Sequence, residues 1–291
     1  MADYTQVNYA KKYSALVDER FKLGALTSGI VNNNYDWVGV QTVAVYSVPT
    51  VAMGNYTKSG SARYGVAADL TNSVQEMTVS RDRSFTFSID RKDEQDTMGV
   101  QNAAKALRRE IDEVCIPEVD TYRIAALASG AKAAHIINDA AVSKANVYEK
   151  FLTAQGLLDD AKVPQGGRFA LCTPAFLNFL KQDDSFIKKG DMATQLAING
   201  LVGECDGVYF IKAPSSYFPT SVQCILTNNQ VMPSPVKLQD YKIHIDPPGI
   251  NGYLVEGRIR YDAFILEMKQ NAIAVIQNPS NGTTGATGQT G

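Results

Sequence analysis

Four cysteines and two histidines are the side chains in this sequence best suited to metal binding or nucleophilic chemistry. The cysteines are widely spaced and form no CxxC pair: Cys115, Cys172, Cys205 and Cys224. Zinc sites use closely spaced ligand pairs. The spacing therefore favours reduced, partly buried thiols over a zinc site or disulfides. His135 and His244 lie far apart, and each is predicted to be a hydrogen-bonded structural residue.

No familiar catalytic motif accompanies these residues. The sequence contains no GxSxG, HExxH, P-loop or GxGxxG pattern. Residues 200–207, GLVGECDG, lack the Lys-Ser/Thr ending of a phosphate loop, so their glycines are predicted to form turns. Cys205 beside Asp206 has no plausible base. The acidic run at residues 90–96 does not fit a calcium loop. We predict no enzymatic activity, no catalytic residue, no cofactor and no metal.

Composition excludes further classes. The 291 residues are 45% hydrophobic and 20% charged, as in ordinary globular proteins. Because 28 basic residues face 30 acidic ones, the chain lacks the excess of Lys and Arg that sequence-general nucleic-acid binding requires. No apolar run approaches the ~20 residues of a membrane helix, and the start lacks the pattern of a signal peptide. The chain is expected to fold in a cytoplasm.

Two extended segments, residues 40–51 and 73–90, dominate the first third of the chain. The second alternates apolar and polar residues over about sixteen positions, which predicts an unusually long strand of on the order of 50 Å. Its apolar positions are Met77, Val79, Phe85, Phe87 and Ile89. The two segments are predicted to pair as a ribbon, with a long Gly/Ser/Thr/Asn-rich loop between them.

A two-stranded ribbon is marginally stable alone in water, so another surface must cover its apolar side. The chain's own domain could do so near the base, and a neighbouring subunit is the natural partner farther out. Arg81 and Arg83 interrupt the apolar side of the ribbon. They are either partners in ion pairs with another subunit or charges exposed to solvent on the ribbon. The predicted inter-subunit contacts are Lys58, Arg63, Arg81, Arg83, Phe85 and Phe87.

The rest of the chain predicts an α+β fold. An arm with one helix comes first, and a long amphipathic helix at residues 100–129 follows the ribbon, with Pro117 expected to bend or break it. A second helix is predicted at 146–161. Short strands and helices alternate over 163–250, including a helix capped by Thr173 and another near 191–197. Two strands separated by a turn close the chain before a low-complexity tail, which is expected to be flexible.

Two strings and the order of these parts resemble the major capsid proteins of tailed bacteriophages, the Hong Kong ninety-seven type. The segment GLVGECDGVYFIKAP, residues 200–214, is similar to a glycine turn followed by a strand that ends in Pro. The segment GYLVEGRIRYDAFILEMKQNAIAV, residues 252–275, is similar to the closing segment of that family. The resemblance covers about residues 35–277.

The resemblance implies a division of the chain into domains. It comprises an N-terminal arm (1–39), an extended E-loop (40–95), a P-domain with a long spine helix (96–165 and 253–277), a mixed α/β A-domain (166–252) and a flexible tail (278–291). The residues that match the family's motifs would have structural roles. They are Gly203, Asp206, Gly207 and Pro214 in the A-domain, and Gly257, Arg258, Tyr261, Asp262, Ala263 and Phe264 in the P-domain.

The implied function is self-assembly, through hexamers and pentamers, into an icosahedral virion shell around double-stranded DNA, in the cytoplasm of a host bacterium. The implied partners are further copies of the chain, a portal, an optional decoration protein and a separate scaffolding protein, since only about 40 residues precede the ribbon. Contact with packaged DNA would be non-specific, and no membrane is involved. Some family members cross-link a ribbon lysine to an asparagine of a neighbour, for which Lys58 is the candidate here.

Two other functions stay open. An encapsulin-like compartment protein with the same fold would enclose protein cargo instead of a genome. A small-molecule enzyme with an α/β body would be a compact monomer with a defined pocket, and it would leave the ribbon unexplained.

Overall fold

A computed structural model describes residues 25–35, 37, 42–47, 50–67, 69, 72–96, 102–182 and 201–279. The helix predicted in the arm, the helix predicted near 191–197 and the last twelve residues of the tail lie outside these ranges. The strands are β1 (Thr42–Ser47), β2 (Ser73–Thr78), β3 (Arg81–Asp90), β4 (Ile136–Ile137), β5 (Arg168–Cys172), β6 (Leu201–Cys205), β7 (Val208–Lys212), β8 (Val222–Asn228), β9 (Val236–Ile245), β10 (Gly252–Tyr261) and β11 (Ala274–Gln277). The α-helices are α1 (Arg91–Asp96), α2 (Ala103–Glu110), α3 (Ile116–Gly130), α4 (Val147–Asp160) and α5 (Pro174–Gln182).

A mixed six-stranded sheet forms the centre of the body, in the order β4-β11-β8-β5-β7-β6. The pairs β5–β7 and β4–β11 are parallel, and the other neighbours are antiparallel. The inner strands carry continuous apolar runs such as FALC and CILT because both faces of the sheet are covered. The turn predicted for the glycines of GLVGECDG is confirmed at Gly207, since Asp206 and Gly207 join β6 to β7 with φ of 53° and 75°. Gly203 instead lies within β6, and Gly200 lies outside the described residues.

The helices that cover this sheet agree with the predictions. Helix α4 matches the predicted 146–161 helix, and its Phe151, Ala154 and Leu158 are fully buried. Helix α5 begins at Pro174, and the hydroxyl of Thr173 accepts a hydrogen bond from the Phe176 amide at 3.3 Å. The predicted cap is therefore confirmed.

The long helix, which we define as α2, a π-helical segment Ile111–Cys115 and α3, runs without a break from 103 to 130. Asn102 caps its start through bonds from the Ala104 and Lys105 amides. Pro117 was expected to bend or break this helix, and the helix is not broken there. The Ile116 amide bonds five residues back, to Ile111, so the helix continues through a π-helical turn just before the proline.

The ribbon is shorter than the alternation predicts. β1 and β2 pair antiparallel over six residues each, roughly 20 Å, with Thr42 opposite Thr78. The expectation that residues 81–90 continue this ribbon is wrong, because β3 pairs with β10 in a three-stranded sheet of order β3-β10-β9. The strand is interrupted at Ser80, whose amide and hydroxyl both donate to Asp262 Oδ2 at 2.9 Å.

The closing segment also differs from prediction in its pairing. β10 and β11 are both strands, as predicted, with a 3-10 segment Glu267–Ala272 between them, but they belong to different sheets. β10 is the middle strand of the three-stranded sheet, and β11 is an inner strand of the six-stranded sheet. Strand β9 was not predicted, because the prolines that flank it suggested an irregular segment.

The first described residues are fixed to the body by a buried network. Leu26 and Ile30 are buried, and the Asn32 amide bonds to the Met232 carbonyl at 2.8 Å. The Asp120 carboxylate, 1% exposed, accepts bonds from the Leu26 amide at 2.8 Å and from the Thr27 hydroxyl at 2.5 Å. The long helix therefore holds the last part of the predicted arm (1–39) against the body.

Candidate inter-subunit surface

The loop between β1 and β2 is the most exposed part of the described chain. Every one of residues 50–67 is exposed, although several are apolar. Met53 and Val66 have relative exposures of 102% and 94%, so they have almost no contact with their own chain, and Tyr64 is 92% exposed. Apolar side chains clustered on one exposed loop are typical of a surface that another protein covers.

This loop has local structure of its own. The rings of Tyr56 and Tyr64 meet edge to face with centroids 5.0 Å apart, and the Thr57 amide donates to the Arg63 carbonyl at 3.0 Å. Lys58 and Arg63 lie at this turn, and both side chains are exposed. The loop therefore presents a preformed tip, which lowers the entropy lost when a partner binds it.

The side chain of Gln75 hydrogen-bonds the ribbon to the body. Gln75 donates to the Ile265 carbonyl at 2.8 Å and accepts from the Glu267 amide at 3.1 Å. Both bonds involve the segment between β10 and β11. Gln75 thus helps to set the position of the ribbon relative to the two sheets, and no pattern in the sequence indicates this role.

Arg81 and Arg83 have partners within the chain. The Arg81 guanidinium lies 4.4 Å from the centre of the Tyr122 ring, a cation–π distance. Arg83 Nε donates to Glu118 Oε1 at 2.7 Å, and the Tyr261 hydroxyl donates to the same oxygen at 2.9 Å. These contacts bind β3 to the long helix. The Arg83 side chain remains 58% exposed, so its contact with a neighbouring subunit stays a prediction.

Phe85 and Phe87 are half-buried on the same strand. Their rings stack with centroids 6.3 Å apart, and the Phe85 ring lies 6.2 Å from the ring of Tyr241 on β9. The structure therefore does not bring the six predicted contact residues together. Lys58 and Arg63 lie on the exposed loop, whereas the two arginines and two phenylalanines of β3 lie against the body.

The phenol groups of Tyr122 and Tyr261, which lie beside β3, are held in their protonated form. Burial, followed by the bond to Glu118, raises the pKa of the Tyr261 phenol far above its usual value. Burial and the bond to Asp262 likewise raise the pKa of Tyr122. Both phenols stay protonated near neutral pH and act as hydrogen-bond donors to carboxylates, which is a structural role.

The candidate catalytic residues from the sequence are not assembled into a site. His135 Nδ1 lies 3.2 Å from the Ile273 carbonyl, and His244 Nε2 lies 3.2 Å from the Glu256 carboxylate. Among the residues that the structure describes, no group of three His, Cys, Asp or Glu side chains is placed to bind a metal. No helix within the described ranges is long and apolar enough to cross a membrane.

Solved phage structures share this fold over nearly the whole chain. The capsid structure of the cyanophage P-SCSP1u aligns with a TM-score of 0.72 at 12% identity, covering 94% of each chain. The mature capsid of bacteriophage PhiM1 aligns with a TM-score of 0.68 at 12% identity, covering 95% of this chain and 97% of that one. The capsid of Ralstonia phage GP4 gives 0.66 at 13%, covering 97% and 98%.

No protein-family model matches the sequence, and no curated protein matches it. The fold is therefore identified by structure: the chain has the fold of phage capsid proteins, and the resemblance noted from the sequence is confirmed at that level. The three phage structures compared above are capsid structures.

The exposed apolar side chains of the loop are the functional candidates that sequence reasoning missed. Met53, Tyr64 and Val66 lie in a segment rich in Gly, Ser and Thr, where we named only the charged residues Lys58 and Arg63. The available signal was the presence of five aromatic or large apolar residues, Val51, Met53, Tyr56, Tyr64 and Val66, in a loop with no helical or strand period. Apolar residues on a loop that has no interior of its own are typical of a surface that another protein covers.

Proposed function

We propose that this chain is the major capsid protein of a tailed bacteriophage, which self-assembles through hexamers and pentamers into an icosahedral shell around double-stranded DNA. Assembly takes place in the cytoplasm of the host bacterium, and the product is the virion capsid. The nearly full-length likeness to phage capsid structures supports this function. The chain contributes structure and no catalysis.

The parts of the chain are assigned accordingly. β1, β2 and the loop between them form the E-loop, which reaches a neighbouring subunit. The long helix is the spine helix of the P-domain, and the three-stranded sheet lies beside it. The A-domain comprises residues 166–252, most of whose strands lie in the six-stranded sheet. The shell partners are a separate scaffolding protein, a portal and an optional decoration protein, with only non-specific contact with DNA.

The exposed loop is the observation that carries this proposal. Its apolar side chains are nearly free of contact, its tip is internally ordered, and Gln75 fixes its base to the body. In a lone monomer these side chains would face water. In a shell, an adjacent copy buries them, and closed symmetry repeats the contact around every ring.

The test compares the assembly of the purified chain with that of a variant whose loop lacks three of its apolar side chains. The unaltered protein, produced with its scaffolding protein, should form shells or rings visible by negative-stain electron microscopy and sedimentation. The triple variant Met53→Ser, Tyr64→Ser and Val66→Ser should form at least ten-fold less assembled particle than the unaltered protein. Its global unfolding transition should stay unchanged, because Met53 and Val66 have almost no contact within the monomer and the Tyr64 ring meets Tyr56 of the same exposed loop.

Leu152→Ser provides the matched control, because Leu152 is also an exposed apolar residue, at 42%, but lies on α4. It should assemble normally. A chain that stays monomeric at high concentration contradicts the shell function. Normal assembly of the triple variant contradicts the role of the loop. Shells that contain protein cargo and no nucleic acid would instead identify the encapsulin-like alternative.

A further inference from the structure

Two cysteines face each other in the middle of the six-stranded sheet. Cys172 ends β5 and lies directly opposite Cys224 of β8 in the antiparallel register. Their Sγ atoms are 2.9 Å apart, and both residues are completely buried. A disulfide bond is ~2.0 Å long, so only a small approach separates the two sulfur atoms from bonding distance.

The backbone around the pair meets the geometric requirement for a disulfide. The Thr173 amide donates to the Gln223 carbonyl at 3.0 Å, which makes residues 173 and 223 a hydrogen-bonded pair. Cys172 and Cys224 are therefore the adjacent non-hydrogen-bonded pair, in which facing side chains lie closest and Cα atoms are ~4.5 Å apart. That spacing lies within the ~4.4–6.8 Å range of disulfides.

The pair is also chemically isolated. The third described thiol, Cys115, lies on the long helix in the π-helical segment. No carboxylate or histidine in the described chain joins the two thiols in a metal-binding group. The reaction open to the two sulfur atoms is therefore with each other.

We propose that Cys172 and Cys224 form an oxidisable site that closes to an intrachain disulfide between β5 and β8. With a peroxide as oxidant, one thiolate attacks the peroxide oxygen to give a sulfenic acid and release water. The second thiol then attacks that sulfur, forms the S–S bond and releases a second water. Two thiols and one hydrogen peroxide thus give one disulfide and two waters.

Burial makes the reaction slow in the folded chain and makes the product durable. It raises the pKa of the Cys172 thiol well above its usual value, which lowers the fraction present as thiolate. Because Cys172 is the last residue of its strand, a local opening of this strand end exposes the pair. Once closed, the buried disulfide is shielded from reductants. This site does not depend on the proposed shell function.

The experiment uses the full, unaltered chain, incubated with hydrogen peroxide after removal of reductant. The protein is then unfolded in iodoacetamide without reductant, digested with trypsin and analysed by mass spectrometry. We expect peptides 169–181 and 213–237 to appear linked, two hydrogens lighter than their sum, while Cys115 and Cys205 are alkylated. Reduction before alkylation should separate the two peptides.

Cys172→Ala and Cys224→Ala should each abolish the linked species, whereas Cys115→Ala should leave it unchanged. Three results overturn the proposal: alkylation of all four cysteines after prolonged oxidation, linkage of Cys172 or Cys224 to another cysteine, or oxygen addition at either sulfur without linkage. Because the main measurement is made on the unaltered chain, poor folding of a variant does not obscure the outcome.

Discussion

Gly257 lies in the middle strand of the three-stranded sheet, directly beneath an aromatic ring. It is opposite Phe85 of β3 and Tyr241 of β9 in the register, and a methyl group on its Cα would lie 2.3 Å from the Phe85 ring. The ring therefore packs on bare backbone, an arrangement that compensates for the missing side chain of a strand glycine. This contact gives a physical reason for glycine in the closing segment.

Substitution of Gly257 tests this packing. Gly257→Val should destabilise the protein by about 1–3 kcal/mol, because the Phe85 ring must leave its position. Chemical unfolding measures the change. Gly156→Ala is the matched control, since nothing lies within 4 Å of that added carbon and its position is inside α4. There alanine should stabilise by about 0.5–1 kcal/mol. Equal changes in the free energy of unfolding for the two substitutions would contradict the close packing of the Phe85 ring on Gly257.

Lys150 is a lysine with only 4% exposure, and its ammonium group bonds to the Asp139 carboxylate. Hydrogen bonding to Lys150 lowers the pKa of Asp139. Asp139→Asn should lower the melting temperature at neutral pH, because a buried charge then lacks its partner. Since the folded pKa of Asp139 is depressed, its contribution is complete above the ordinary carboxyl pKa and is lost in acid. The difference between the variant and the unaltered protein should therefore narrow as the pH falls.

A second substitution separates charge from packing at this position. Lys150→Met combined with Asp139→Asn should recover most of the lost melting temperature, because methionine fills the buried space without a charge. If the double variant melts no higher than Asp139→Asn alone, the unpaired ammonium group is not the cause.

At the scale of elements, the ribbon depends on its base. Gln75→Ala removes both bonds to the segment after β10. We expect faster amide hydrogen exchange in β1 and β2, with exchange in the six-stranded sheet unchanged, because local opening of the ribbon becomes easier. Glu76→Ala is the control, since Glu76 points to solvent on the same strand. Unchanged exchange in the ribbon would show that its strand pairing alone holds it in place.

The π-helical segment contains Cys115, and the reactivity of this thiol measures how far the segment is buried. Burial, followed by the charges of Glu110 and Glu118, raises the pKa of Cys115 to about 11. The thiolate fraction at pH 7.5 is then roughly 300-fold below that of an exposed cysteine with a pKa of ~8.5. Alkylation of Cys115 by iodoacetamide should rise about tenfold per pH unit between pH 7 and 9.5. A rate that levels off near pH 8.5 would show an exposed segment.

Local pattern predicted most elements but not their partners. The periodicities located the long helix, α4, α5 and the alternation through Met77, Val79 and Ile89, because these depend on neighbours in sequence. The sequence could not show that β3 leaves the ribbon to pair with β10, about 170 residues later. Nor could it show that a π-helical turn accommodates Pro117. The pairing of β3 depends on long-range contacts such as the bonds from Ser80 to Asp262.

The candidate inter-subunit surface was predicted only in part, because some of its contacts join residues that are far apart in sequence. A long exposed loop was expected from its Gly, Ser and Thr content, and it is present. The contacts of Arg81 and Arg83 with Tyr122 and Glu118 were not predicted, because the long helix supplies them. The contribution of Gln75 required knowledge of where the segment after β10 lies.

At the scale of the whole molecule, one buried network joins segments far apart in sequence. Arg123 donates to the hydroxyls of Thr27 and Ser234, and the Ser234 hydroxyl donates to the Asp262 carbonyl. Asp120 on the same helix accepts the Thr27 hydroxyl. The long helix thereby connects the first described residues to the end of the three-stranded sheet.

Removal of the carboxylate should weaken the whole fold. Asp120→Ala leaves buried donors of Leu26 and Thr27 without an acceptor and Arg123 without its nearby charge, at a cost of about 3–5 kcal/mol in unfolding free energy. Asp160→Ala is the control, because that aspartate is exposed at the end of α4. A loss below about 1 kcal/mol for Asp120→Ala would mean that the network contributes little to stability.

The placement of β10 and β11 has a consequence for synthesis on the ribosome. Each is an interior strand of a different sheet, and both come from the last part of the chain, residues 252–277. A nascent polypeptide cannot close either sheet until residues 252–277 have left the ribosome. Products that terminate before these residues would therefore expose open strand edges, which promote aggregation.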